Sequence, residues 1–276
     1  MTYATVMVSL ALDRSNDARL EIAGQLAKRF NACVIGIAAG EFSPPVYFTM
    51  GEQAQKLLDQ GRAAITDRIV AVEAEYRAAM QNRAVAVEWR GAEDFPTRFI
   101  VQQARAADII VVGEDGRNAL GDPFMQANPS DLVMQSGRPL LVVSDTSSWL
   151  DLRSVLIAWK DTPEARRAIA DALPVLRQAK DVNVVEIVED DAERPSASSG
   201  IEDVVAWLSR HGVVASGQVP DHCGDAASQL EKIASEIGAG LVVAGAYGHS
   251  RLREWVLGGV TKRLVNPSNR CSLLSR

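Results

Sequence analysis

The residues best placed by type and spacing to hold an anion lie late in the chain. An apolar run, Leu241-Val242-Val243-Ala244, stops at Gly245. Two residues intervene before Gly248, and nine more before Gly258-Gly259-Val260-Thr261. Glycines let backbone N–H groups approach a phosphate closely, and a helix opening behind them adds unpaired donors and a positive dipole end. The bare strand–glycine–helix pattern is unspecific, because many such glycines only turn the chain. His249 could face a phosphate or a solvated helix start. Arg251 and Arg253 could clamp an anion bidentately or form a wetted face. Asp221-His222-Cys223 are three metal-capable residues in a row, but neighbours rarely converge on one ion and no partner pair stands at ligand spacing. A loop is expected there, and no metal. No nucleophile elbow, His-Glu-x-x-His or P-loop occurs, so a dedicated enzyme is not expected.

The elements that must position these residues alternate in type. Strand-like runs cover Thr5–Leu12, Cys33–Ala39, Ala84–Trp89, Asp108–Gly113 and Leu140–Ser144. They recur at Ser154–Trp159, Val182–Val188, Val213–Val219 and Leu241–Gly245. Helical patterns fall between them, over Ala18–Phe30, Gln53–Met80, Phe95–Ala106, Ile201–His211 and Ala226–Ile237. Another opens at Thr162-Pro163-Glu164, with proline at a favoured first-turn position. Phe42–Met50 and Asp190–Ser199 read as loops, the latter a flexible connection by composition. This alternation predicts doubly wound α/β domains with parallel sheets.

The pattern also repeats. Shifted back by 132 residues, Gly245 falls on Gly113, Gly248 on Gly116, Leu264-Val265 on Leu132-Val133, Arg270 on Arg138 and Leu273 on Leu141. A tandem duplication is expected, with domains over 1–146 and 152–276 and a small polar linker at Thr146-Ser147-Ser148.

The 276 residues carry a formal net charge of −6, with 47% hydrophobic and 23% charged residues, which excludes general disorder and a basic surface for nucleic acid. No apolar run approaches the ~18 residues of a membrane span. The chain starts on a strand-like run without a basic or cleavable leader, and its three scattered cysteines suggest no disulfide framework. A cytoplasmic setting is expected.

With both halves in view, the chain resembles the universal stress protein family, specifically its two-domain tandem members. Gly245-x-x-Gly248, nine residues, then Gly258-Gly259-Val260-Thr261 carry the resemblance, with Asp13 after the first strand. It implies a five-stranded parallel sheet flanked by helices in each domain, of the adenine nucleotide alpha hydrolase-like kind. It implies a phosphate-wrapping glycine loop and an Asp on the adenosine side. Pairing through the last strand implies an internal pseudo-dimer of the two domains, and a homodimer is a further expectation. In the first half Asp13, Gly113 and Gly116 are present, but Gln126-Ala127 stand where Gly-Ser belongs. Asn128-Pro129 follow, and Glu114, Asp115 and Asp122 add negative charge, so phosphate binding there is expected to be lost. In the second half Gly259 takes the hydroxyl position, and Lys160 takes the Asp position, between Trp159 and Asp161. Trp159 is either an adenine platform or a core aromatic.

The implied ligand-binding set is Ala158, Trp159, Lys160, Ala244, Gly245, Gly248, Gly258, Gly259, Val260 and Thr261. The implied ligand is ATP or another adenine nucleotide, with Mg if ATP, or a small anion. Weak ATP hydrolysis is the most chemistry expected. The rival expectation is a ligand-free interaction protein whose glycines only turn the chain.

Overall fold

Short β-branched runs buried on both faces make the strands, and they join into one ten-stranded sheet. The structure, a computed structural model, describes residues 2–43, 52–114, 122–246, 259–264 and 270–276, with backbone alone at 259, 261 and 262. The strands are β1 (Thr5–Ser9), β2 (Cys33–Gly40), β3 (Val87–Glu93), β4 (Ile109–Gly113), β5 (Leu140–Val143), β6 (Ser154–Ala158), β7 (Asp181–Val185), β8 (Ala215–Gln218), β9 (Leu241–Gly245) and β10 (Cys271–Ser275). The helices are α1 (Asp17–Phe30), α2 (Glu52–Met80), α3 (Pro96–Gln103), α4 (Pro129–Gln135), α5 (Pro163–Leu176), α6 (Arg194–Arg210), α7 (Ala226–Glu236) and α8 (Gly259–Leu264).

The strand order is β3-β2-β1-β4-β5-β10-β9-β6-β7-β8. Every pairing is parallel except the central one, where β10 runs antiparallel to β5. There Leu273 stands opposite Leu141, Ser272 opposite Val142 and Leu274 opposite Leu140. Leu141 and Leu273 are the residues that the 132-residue shift equates, so the pairing is centred on a repeat-related pair.

One continuous core covers one face of the sheet beneath α1, α2, α5 and α6, and it includes Leu26, Tyr76, Leu173 and Leu208. The other face carries two clusters. One lies under α3 and α4 around Ile100 and Leu132, and the other under α7 around Ile233 and Val242. Tyr3 Oη donates to Asp171 O at 2.7 Å, bridging the two halves of the sheet, and the Leu150 N–H of the connecting segment donates to Gln25 Oε1 at 2.9 Å.

Strands β1, β7 and β8 stop short of the expected Leu12, Val188 and Val219, and two further segments depart from the sequence expectation. Asp190–Ser199 is not a loose connection: a 3-10 turn at Asp191–Glu193 leads straight into α6. Asp190 Oδ1 caps the turn by accepting from the Ala192 N–H at 2.9 Å. Pro195 sits in the first turn of α6, where its missing N–H costs nothing. Arg194 anchors the start by donating to Val219 O at 2.7 Å and to Asp221 at 2.9 Å. Strand β3 begins at Val87 rather than Ala84 and runs on to Glu93, because its charged residues project from a sheet edge. Residues 44–50 of the expected loop lie outside the described residues.

Candidate functional site

In an open parallel sheet, ligands bind beyond the carboxyl ends of the strands where the chain reverses its winding direction. In the second half that point lies between β6 and β9, since the chain leaves β6 toward β7 and β8 on one side and returns to β9 and β10 on the other. The register sets Ala158 beside Ala244, with Gly245 one step further at the strand end.

Gly245 is a position of forced close approach. A Cβ there would stand 2.5 Å from the Ala165 backbone nitrogen and 2.7 Å from the Glu164 carbonyl carbon, so the first turn of α5 lies directly against the glycine. That turn is capped by Thr162, whose Oγ1 accepts from the Ala165 N–H at 3.3 Å. Glu164 Oε2 is buried there without a hydrogen-bond partner. On the same side of the sheet as Ala158, Val260 and Leu264 of α8 close a small hollow of about 20 Å³ with Leu156, Val242 and α7. Val260 is thus a packing residue as well as part of the motif.

The adjacent residues Ala158, Trp159 and Lys160 part company. Val155, Ile157 and Trp159 belong to the core beneath α5 and α6, while Leu156 and Ala158 face α7. The Trp159 indole is 7% exposed, and its backbone N–H donates to Val185 O at 2.8 Å, continuing the β6–β7 ladder. It does not sit on the α8 side of the sheet with Ala158 and Val260. Lys160 is exposed beside Glu186, whose pKa is raised by partial burial against the opposing pull of Lys160. Gly259 and Thr261 lie in α8, described by backbone alone; Gly248, Gly258, His249, Arg251 and Arg253 lie outside the described residues.

The first half differs at each of these points. Seven residues, Leu10–Asn16, join β1 to α1, against four, Trp159–Thr162, between β6 and α5. Asn16 pins the longer loop: its Oδ1 accepts from the Ala11 N–H at 2.9 Å and its Nδ2 donates to Ala11 O at 3.0 Å. Asp13 stands exposed on this loop, 4.0 Å from Arg14, which also faces Asp145 at 3.8 Å. Gly113 packs against the Arg19 guanidinium rather than against backbone; a Cβ would stand 2.7 Å from Arg19 Cζ. Arg19 is 3% exposed, donates to Asn16 Oδ1 at 2.9 Å, and keeps Nε and Nη2 without partners. Burial pulls its pKa down, chiefly opposed by Asp145. The strand ends themselves are covered, because Met125 O accepts from the Leu12 N–H and Phe124 O from the Glu41 N–H, each at 2.9 Å. Gln126 and Ala127 are buried behind them, and Pro129 opens α4 with its N-cap Asn128 accepting from the Asp131 N–H at 3.1 Å. Gly116 lies outside the described residues.

At the metal-capable triplet, Asp221 pairs with Arg194 at 2.9 Å, and the Cys223 N–H donates to Gln229 Oε1 at 3.0 Å. Among the described residues, no three His, Cys, Asp or Glu side chains converge. No described helix is long and apolar enough to cross a membrane.

Sequence reasoning passed over Arg19 and the side chain of Glu164. Arg19 was detectable as a lone charge on the apolar stripe of α1. The side of Trp159 was detectable from strand alternation, which groups it with Val155 and Ile157 rather than with its sequence neighbours.

The fold is that of a doubly wound α/β protein whose second half has its switch point between β6 and β9. No family model matches the chain. Universal stress proteins of Mycobacterium tuberculosis and Mycobacterium bovis are 27% identical to it over 228 residues, covering 75% of this chain and 74% of each relative. A universal stress protein from Archaeoglobus fulgidus shares the fold with a TM-score of 0.73 at 14% identity, over 99% of this chain and 96% of that one. A functionally unknown Pseudomonas aeruginosa protein aligns over 99% of this chain and 92% of its own, with a TM-score of 0.63 at 12% identity. The resemblance to the universal stress protein family therefore holds in both sequence and fold.

Proposed function

We propose that this chain is a tandem universal stress protein, with domains over 1–146 and 152–276, that acts in the cytoplasmic stress response. Its second domain binds ATP or another adenine nucleotide, or a related small anion, beyond the carboxyl ends of β6 and β9. The observation that carries this reading is the register that sets Ala158 beside Ala244 at the switch point, from which the glycine motif runs to α8. The first domain is its structural partner: Phe124 and Met125 hydrogen-bond across its strand ends, and Arg19 fills the space beside Gly113. The β5–β10 pairing centred on Leu141 and Leu273 supports an internal pseudo-dimer. Neither nucleic acid nor membrane is a partner in this reading.

Calorimetric titration with ATP, ADP and AMP tests it. Binding should be lost when Gly248 or Gly258 is replaced by leucine, and binding that survives both replacements sinks the site assignment. Phosphate release with and without Mg²⁺ measures any residual hydrolysis.

A second reading has its own observation. The 2.5 Å approach of a Gly245 Cβ to Ala165 N gives that glycine a packing reason that needs no ligand. A ligand-free interaction protein predicts no thermal shift with any nucleotide and none released from purified material.

A further inference from the structure

A second hollow lies on the other face of the sheet, outside the glycine motif. It is a groove of about 570 Å³ between α5 and α6, with Trp159, Ile169, Val204 and Trp207 as apolar walls and Arg166 and Arg210 among its rim. Its volume falls within the ~300–1,000 Å³ of small-molecule sites, and its apolar walls are rimmed by four charged side chains, Asp161, Arg166, Asp203 and Arg210.

The corresponding place in the first half is filled. Ile69 of α2 covers Gly91 of edge strand β3, and Ile201 of α6 covers Gly217 of edge strand β8. These two isoleucines are again 132 residues apart. On that spacing Ala197 and Gly200 replace Ile65 and Arg68. Ile65 is buried to 1% exposure, and Arg68 reaches Met125 Sδ at 3.6 Å. A Cβ added at Gly200 would meet nothing within 4 Å. At this position α6 carries Ala197 and Gly200 where α2 carries the larger Ile65 and Arg68.

Two polar groups at this groove are unmet. The Trp159 Nε1–H is buried and has no acceptor, a costly state that folded chains rarely tolerate. At the rim, Arg166 is held by Asp161 at 2.6 Å, whereas Arg210 has no acidic partner among the described residues. Asp203 stands two turns earlier on α6, roughly 10 Å along the axis, so an acid at Arg210 is kept clear of it.

We propose that the α5–α6 groove binds a small, flat aromatic acid. Its ring lies against Trp159 and Trp207, and its acidic group pairs with Arg210. No residue of the glycine motif lines the site, and Trp159 alone of the implied nucleotide-binding set does, on the face of the sheet away from α8.

The test is fluorescence titration of the full chain with 8-anilinonaphthalene-1-sulfonate and with N-phenyl-1-naphthylamine, which has the same rings without the acid. The sulfonate should bind once per chain and quench tryptophan emission. Gly200→Leu, which enters open space and favours the helix, should weaken both probes by about tenfold or more while leaving the melting temperature unchanged or raised. Arg210→Gln should weaken the sulfonate about tenfold and leave the neutral probe unaffected. A chain that binds neither probe, or binding that persists in Gly200→Leu, overturns the site. Equal loss of both probes in Arg210→Gln overturns the acidic ligand.

Discussion

Glycine 245 and glycine 200 occupy opposite environments, and the contrast is measurable. At Gly245 a side chain would enter the backbone of α5, while at Gly200 it would enter open space. Gly245→Val should cost about 1–3 kcal/mol or more, by overpacking against a rigid turn. Gly200→Ala should stabilise by about 0.5–1 kcal/mol through helix propensity. Denaturant titration of both variants checks the pair, and equal effects would contradict the packing described. Glu164 carries a second residue-scale prediction. Its Oε2 is buried on the first turn of α5, whose backbone abuts Gly245, so on the nucleotide reading proposed above a bare polyphosphate should be repelled and binding should require Mg²⁺. Glu164→Gln should relieve that requirement, and titrations in EDTA read it directly. Cys271 gives a third. Burial pushes its thiol pKa up to about 12, a little offset by Ser147. Above the ordinary thiol range near ~8.5 the unfolded chain releases this proton while the folded chain keeps it. Stability should therefore fall as pH rises between about 9 and 12, by at most ~1.4 kcal/mol per pH unit from this group. Tyr3 and Tyr76, raised mainly by burial, act in the same direction. Cys271→Val should flatten the slope by one proton, as measured by denaturation at pH 8, 9 and 10.

At the scale of elements, most of the fold was legible because buried parallel strands advertise themselves as β-branched runs and the helices between them keep a 3.6-residue period. The repeat supplied what local pattern could not, equating Leu273 with Leu141 before any pairing was known. Legibility failed where tertiary contacts outweigh composition. Asp190–Ser199 is rich in residues that favour loops, yet a cap, a first-turn proline and the anchored Arg194 make it the start of α6. Strand β3 carries charges that a central strand would not tolerate, and its pairing with β2 holds it extended. The candidate site was legible in its Ala158 and Gly245 positions, but the division of Ala158 from Trp159 depends on which helices cover each face. The central strand pair has its own test. Leu273 is fully buried opposite Leu141, so Leu273→Ala should cost about 2–5 kcal/mol. A loss below 1 kcal/mol in chemical denaturation would show that the two halves are not joined there.

Taken whole, the molecule has a repeat in its sequence but a single sheet and a shared core in its structure. The core beneath α1, α2, α5 and α6 includes residues of both halves, from Tyr3 to Leu273, and Tyr3 ties the halves further through Asp171. Scanning calorimetry should accordingly show one cooperative transition, with calorimetric and van't Hoff enthalpies equal. Two resolved transitions would mean that the halves unfold separately. With β5 and β10 paired to each other, β3 and β8 are the outer edges of the sheet.

That arrangement makes the fate of one short segment unusual. Strand β10 follows all the others in the sequence but stands sixth of ten across the sheet. Ending translation just after Arg270 would not fray a margin. It would split the sheet down its middle and bare the apolar flanks of β5 and β9, leaving two unpaired strand edges open to other chains.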